Sequence, residues 1–99
     1  MKTRTIDTNV LVRLLVDDHT EQAVLAVKLA ECFQLVVLPT VILETEWVLR
    51  SRFHVERPKI IELLRYVTAL ERFLVIDKPR VIRAIDCFEK GMDFADAMH

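Results

Sequence analysis

Short apolar runs alternate with longer segments of helical periodicity along the chain. The short segment at residues 3–6 and the apolar runs at 35–38 and 73–76 predict three strands. The second and third runs are continuously apolar, which is typical of strands buried on both faces. Helical patterns follow each run and predict six helices, at residues 8–16, 20–33, 39–53, 58–71, 79–90 and 93–99. The alternation predicts an α/β fold in which helices flank a parallel sheet.

Capping residues mark where the helices begin and end. Thr20 is a candidate N-cap of the second helix, and residues 17–19 before it are predicted as a loop. Pro58 and Pro79 suit the first position of the fourth and fifth helices. Gly91, the only glycine, is predicted to end the fifth helix at C′.

Composition excludes several classes of protein. A length of ninety-nine residues suits one domain. Apolar residues make up 53% of the chain and charged residues 29%, and this composition excludes intrinsic disorder. The net charge of −1 excludes a global basic field of the kind that attracts nucleic acid. A polyanionic partner would therefore need a local basic patch or bound metal ions.

The expected compartment is the cytoplasm. The N-terminus has no apolar region of a signal peptide, and no apolar run approaches the roughly 20 residues of a membrane span. The two cysteines, Cys32 and Cys87, are 55 residues apart in sequence and lie in apolar helical patterns. We expect two buried free thiols, which fits a reducing cytosol, and no membrane association.

Asp7 follows the first predicted strand directly. Ligand sites of open parallel sheets lie beyond the carboxyl ends of the strands, so Asp7 is a candidate site residue. It could instead cap the following helix. Thr8 and Asn9 can also cap, however, and three capping residues are more than one helix end needs.

Around the axis of the predicted third helix, Glu44 falls between Trp47 on one side and Val48 and Val41 on the other, within an apolar arc. A carboxylate there is costly without a partner, and no cation stands at i+3 or i+4. We therefore expect Glu44 to point at a shared polar site, the alternative being a solvated edge of the arc. Glu46 has Arg50 at i+4, which predicts an ordinary surface ion pair.

Asp93 and Asp96 occupy one predicted turn near the C-terminal end of the sequence. They could form a plain capping arrangement, or present a carboxylate to the same edge as Asp7. Acidic groups from three βα junctions, if clustered, would hold Mg²⁺ or Mn²⁺ through oxygen ligands.

Three arginines are candidates for contact with a polyanion. Arg13, at i+4 from Asn9, could steer a phosphate or simply solvate a helix edge. Arg50 and Arg52 are interpreted as a solvated helix end rather than a nucleic-acid patch.

Three motifs, taken in order, resemble the PIN-domain nucleases, most closely the VapC-type toxins of bacterial type II toxin–antitoxin modules. They are IDTNVL at 6–11, LE at 43–44 with WVLR at 47–50, and DFADA at 93–97. The resemblance implies a PIN-like parallel sheet and an endoribonuclease toxin that hydrolyses RNA phosphodiester bonds with a metal-activated water. It also implies a Mg²⁺ or Mn²⁺ cofactor, a cognate antitoxin and a homodimer.

Site residues carry over from the family motif by motif. Asp7, Glu44 and Asp96 match the core acidic residues, and Asp93 matches a fourth acidic position that some members have. Asn9 matches an asparagine that orients the first aspartate by hydrogen bonding, and Thr8 matches a variable small residue. These are the catalytic, metal-binding and supporting residues that the resemblance predicts.

The chain departs from the family pattern after the third motif, where members usually have a further Asp on another strand. We therefore expect residues 1–99 to form a single PIN-like domain that lacks its C-terminal strand or strands. Its sheet would have three of the four to five strands that the family usually has. The alternative function is a truncated, weakly active or inactive remnant that serves as a dimerisation or antitoxin-binding module. An Asp-nucleophile phosphatase is disfavoured, because Asn9 replaces the second Asp of its motif.

Overall fold

The computed structural model describes residues 2–16 and 21–99. Within these ranges the chain forms three strands and six helices, as the hydrophobic pattern predicts. The elements are β1 (Thr3–Thr5), α1 (Thr8–Val16), α2 (Glu21–Cys32), β2 (Gln34–Val37), α3 (Pro39–Ser51), α4 (Arg57–Ala69), β3 (Phe73–Val75), α5 (Lys78–Glu89) and α6 (Phe94–Met98). The predicted loop at 17–19 and the Thr20 cap lie outside the described residues.

The strands form one parallel sheet in the order β1-β2-β3. Thr5 is in register with Val36, and Val37 with Val75. The ladder continues just past the strands, since the Ile6 amide donates to the Val36 carbonyl at 3.0 Å. The α/β class with a parallel sheet is therefore confirmed, and the carboxyl ends of the strands meet at one edge.

Burial of the strands differs from the prediction. β2 alternates half-buried and buried residues, and the central residue of β3, Leu74, is 43% exposed. The prediction that these strands are buried on both faces is wrong for β3. Helices cover the face that carries Phe73 and Val75, while in the described chain the face with Leu74 stays open to solvent.

Helix ends follow the predicted capping residues closely. α4 and α5 begin one residue before Pro58 and Pro79, so each proline takes the second rather than the first helical position. Gly91 follows the C-cap of α5 with φ of 109°, which confirms its predicted place. Asp93 is the N-cap of α6, and its side chain accepts from the Asp96 amide.

The core lies where α3 packs against α1, α4 and α6 and where α4 packs on β3. Its largest fully buried side chains include Leu11, Leu35, Ile42, Leu49, Leu64, Ile85 and Phe94. α3 thus has neighbours on several sides, and one of its edges faces the carboxyl end of β1.

The cysteines are free, but neither is buried. Cys32 is exposed at the end of α2, and Cys87 is half-buried on α5. The expectation of buried thiols is therefore wrong. Among the helices described, none combines the length and the apolar character needed to cross a membrane.

Candidate functional site

A cavity of about 640 Å³ opens between the β1–α1 junction and α3. We call it the Asp7 cavity. Its polar and aromatic lining residues are Asp7, Thr8, Asn9, Glu44, Glu46, Trp47, Arg50 and Arg52. Ala95 of α6 also lines it, so three separate parts of the chain meet there.

Asp7 both caps α1 and lines the cavity. Its Oδ1 accepts a hydrogen bond from the Val10 amide at 3.0 Å, and its carbonyl accepts from the Leu11 amide at 3.2 Å. Asp7 therefore caps α1 and is also available as a site residue, so the two interpretations of Asp7 do not exclude each other. The helix N-terminus fixes the orientation of the carboxylate.

Glu44 is brought to Asp7 through Thr8. The Thr8 hydroxyl donates to Glu44 Oε2 at 3.3 Å, which joins the β1–α1 junction to α3. Glu44 is exposed, so the expectation that it sits within an apolar arc is wrong. The two carboxylates nevertheless line one cavity, as predicted from the parallel topology.

Glu46 is the buried carboxylate of α3. It is 3% exposed, and the Arg50 guanidinium Nε donates to its Oε2 at 2.9 Å. The predicted ion pair is present, but its predicted surface location is wrong for Glu46. The hydrogen bond to Glu46, followed by the charge attraction, raises the pKa of Arg50. A smaller contribution in the same direction comes from Asp93.

The packing of α3 explains why the exposures of Glu44 and Glu46 differ from the prediction. The buried positions of the helix form one stripe that faces its helical neighbours: Val41, Ile42, Thr45, Glu46 and Leu49. Trp47, which the pattern assigned to the apolar arc, is 52% exposed. Sequence reasoning therefore missed Trp47, Arg50 and Arg52 as cavity residues. The i+3 spacing of Trp47 from Glu44 was an available signal. The helical pattern gave none for Arg50, at i+6, or for Arg52, which follows the end of α3.

Asp93 and Asp96 lie on the neighbouring element. Asp93 Oδ2 accepts from the Asp96 amide at 3.3 Å, which is the predicted capping arrangement. Asp93 lines an adjoining cavity of about 330 Å³ together with Arg50 and Arg57. Neither aspartate is among the residues that line the Asp7 cavity. Within residues 2–16 and 21–99, no three His, Cys, Asp or Glu residues form a group able to hold a metal ion.

Asn9, which also lines the Asp7 cavity, lies with Arg13 and Asp7 beside α2. They line a second cavity, of about 590 Å³, whose remaining wall is apolar and includes Leu25 and Leu29 of α2. No hydrogen bond joins Asn9 to Asp7 in the described part of the chain. The Val10 amide orients the Asp7 carboxylate, and the orienting role that the resemblance implies for Asn9 stays a prediction.

The donors in the Asp7 cavity suit a hard divalent cation. Asp7 and Glu44 offer carboxylate oxygens on an accessible surface. Proteins commonly hold Mg²⁺ with one or two carboxylates, the remaining ligands being water and substrate phosphate. The two residues therefore fit such an ion by donor type.

Comparison with known proteins supports a family assignment. The model of the PIN domain family matches residues 5–99, a span that contains every candidate site residue. No curated protein matches the chain, and no solved structure does.

Proposed function

The chain belongs to the PIN-domain family, and we propose that it is a Mg²⁺- or Mn²⁺-dependent endoribonuclease. PIN domains are generally nucleases that need a metal, and PIN nucleases act on RNA. One observation carries the proposal to this chain. Asp7 and Glu44, from different elements, line one cavity and are linked through Thr8.

In this proposal Asp7 and Glu44 hold the metal. The N-terminus of α1 fixes the Asp7 carboxylate, and the Thr8 hydroxyl fixes one oxygen of Glu44. When bound, a divalent ion lowers the pKa of a coordinated water and offsets negative charge on the phosphodiester. Asp96 and Asp93 are proposed as further ligands. Their helix supports this, because α6 packs on α3 and Ala95 lines the cavity.

The finer proposal is a VapC-type toxin of a toxin–antitoxin module, active in the cytoplasm as a homodimer. The three ordered motifs at 6–11, 43–50 and 93–97 support it. An antitoxin partner is also part of this proposal. The apolar cavity beside Asp7, lined by the exposed Leu25 and the half-buried Leu29, is consistent with such a partner.

Metal-dependent RNA cleavage by the purified chain tests the nuclease. Single-stranded RNA should be cut in Mg²⁺ or Mn²⁺ and should stay intact in EDTA. Asp7→Asn and Glu44→Gln should each slow cleavage by about 100-fold, the rate equivalent of roughly 3 kcal/mol of lost charge stabilisation. Glu62→Gln is the matched control, because it removes the same charge from an exposed pair with Lys59 on α4.

Two results would count against this assignment. Metal-dependent cleavage that survives Asp7→Asn would place the active site elsewhere. Mn²⁺ binding, measured by calorimetry, that is equal in the wild type and in the Asp7→Asn and Glu44→Gln variants would remove both residues from the ligand set. Asp96→Asn in the same assay tests the proposed third ligand.

A further inference from the structure

Trp47 is an exposed aromatic side chain on the wall of the Asp7 cavity. It is 52% exposed and stands one helical turn after Glu44 on α3. The buried stripe of α3 does not include it, so its ring is open to a ligand in the cavity. A large apolar ring beside two carboxylates calls for an explanation other than core packing.

Arg50 stands next to Trp47 on the same wall. Its Nε is committed to Glu46, while its Nη atoms make no hydrogen bond to the described residues. The buried Glu46 carboxylate therefore holds the Arg50 guanidinium in place, and the Nη donors of Arg50 remain available to a ligand. About half of the Arg50 side chain is exposed, and Arg52 lines the cavity beside it.

We propose that Trp47 and Arg50 form a nucleotide subsite in which Trp47 stacks on an unpaired base and Arg50 binds a neighbouring phosphate. This inference rests on the proposed nuclease function and specifies its substrate as single-stranded RNA. Aromatic side chains recognise unpaired bases by stacking, and bases within a duplex are closed to such contact. Arginine donors suit a phosphate beside the stacked base.

The chain has a built-in reporter for this contact, because Trp47 is its only tryptophan. Stacking of a base on the indole should quench its intrinsic fluorescence. Unlabelled oligouridylate, whose bases remain unpaired, is mixed rapidly with the protein in Mg²⁺ and the quench is read before cleavage. End-labelled oligouridylate gives the affinity independently through fluorescence anisotropy.

Three variants separate stacking from other effects. Trp47→Ala should weaken oligouridylate binding by about tenfold or more, and Trp47→Phe should retain most of the affinity. Tyr66→Ala is the matched control, because Tyr66 is equally exposed, at 54%, but lies on α4 outside the cavity. In cleavage assays Trp47→Ala should raise KM with little change in kcat. Unchanged thermal midpoints confirm that the variants fold.

The outcomes distinguish this inference from the function on which it rests. If RNA binds and is cleaved while Trp47 fluorescence and the Trp47→Ala affinity stay unchanged, the subsite is wrong and the nuclease stands. A duplex that quenches Trp47 as strongly as oligouridylate also overturns it. Absence of RNA binding and cleavage overturns the nuclease and the subsite together. A fluorescence shift that depends on protein concentration alone assigns Trp47 to contact with a second copy and overturns the subsite.

Discussion

At the scale of single residues, Thr45 offers the cleanest test of the packing beside the site. It is fully buried on α3, and its Oγ1 has no hydrogen-bond partner in the described chain. An unpaired buried hydroxyl is costly, and valine has the same shape without it. Thr45→Val should therefore raise the free energy of unfolding by about 1 kcal/mol, measured by urea denaturation.

Thr68 provides the comparison. It is also buried, but its Oγ1 donates to the Arg65 carbonyl at 2.9 Å. Thr68→Val should bring no gain, because it removes a hydrogen bond that is made. Equal effects of the two substitutions would show that the Thr45 hydroxyl is satisfied in solution.

Single-residue roles were predicted where they depend on neighbours in sequence. Asp7 as a cap, Asp93 as a cap and the Glu46–Arg50 pair all follow from spacing alone, and all are present. The exposures of Glu44 and Glu46 were not predictable in this way. They depend on which sides of α3 are covered by other helices, and a helical pattern does not specify that.

At the scale of elements, the turn between α5 and α6 depends on Gly91. Its φ of 109° is one that residues with a Cβ rarely adopt, although no atom stands within 4 Å of where a Cβ would lie. Gly91→Ala should therefore cost about 1–2 kcal/mol through backbone strain alone. Lys90→Ala, at φ of −82°, is the matched control and should change stability by less than about 0.5 kcal/mol.

Urea denaturation of both variants checks this prediction. A Gly91→Ala protein as stable as Lys90→Ala would mean that the turn can adopt another conformation at little cost.

Element positions were predictable because they are encoded locally. Apolar runs, prolines and the single glycine mark the described strands and helices to within about two residues. The burial of each strand face was harder to predict from the sequence. Leu74 and Ile76 belong to an apolar run, yet each is more than 40% exposed, because coverage of a sheet depends on where the helices dock.

At the scale of the whole molecule, topology accounts for the part of the site that was predicted. A parallel sheet brings the ends of its strands to one edge, and Asp7 and Glu44 meet near that edge. The positions of Asp93 and Asp96 depend instead on the angle at which a five-residue helix packs against α3. The local sequence does not determine such an angle. An acidic cluster could therefore be predicted from the sequence, but the positions of Asp93 and Asp96 within it could not.

The overall charge also determines how RNA binding should respond to salt. The net charge of −1 gives the molecule no overall attraction for RNA, and the cations on the wall of the Asp7 cavity are Arg50 and Arg52. One or two phosphate contacts with single-stranded RNA release few counterions. The logarithm of the association constant should therefore fall with the logarithm of salt concentration with a slope of about −0.7 to −1.4.

Arg52→Gln should make this slope shallower by about 0.7, because it removes one phosphate contact. Lys59→Gln, which removes an exposed cation paired with Glu62 on α4, should leave the slope unchanged. The measurement is oligouridylate anisotropy across a range of KCl at constant Mg²⁺. A wild-type slope several times steeper would show that RNA binds over a wide basic surface, and an identical slope in Arg52→Gln would remove Arg52 from the contact.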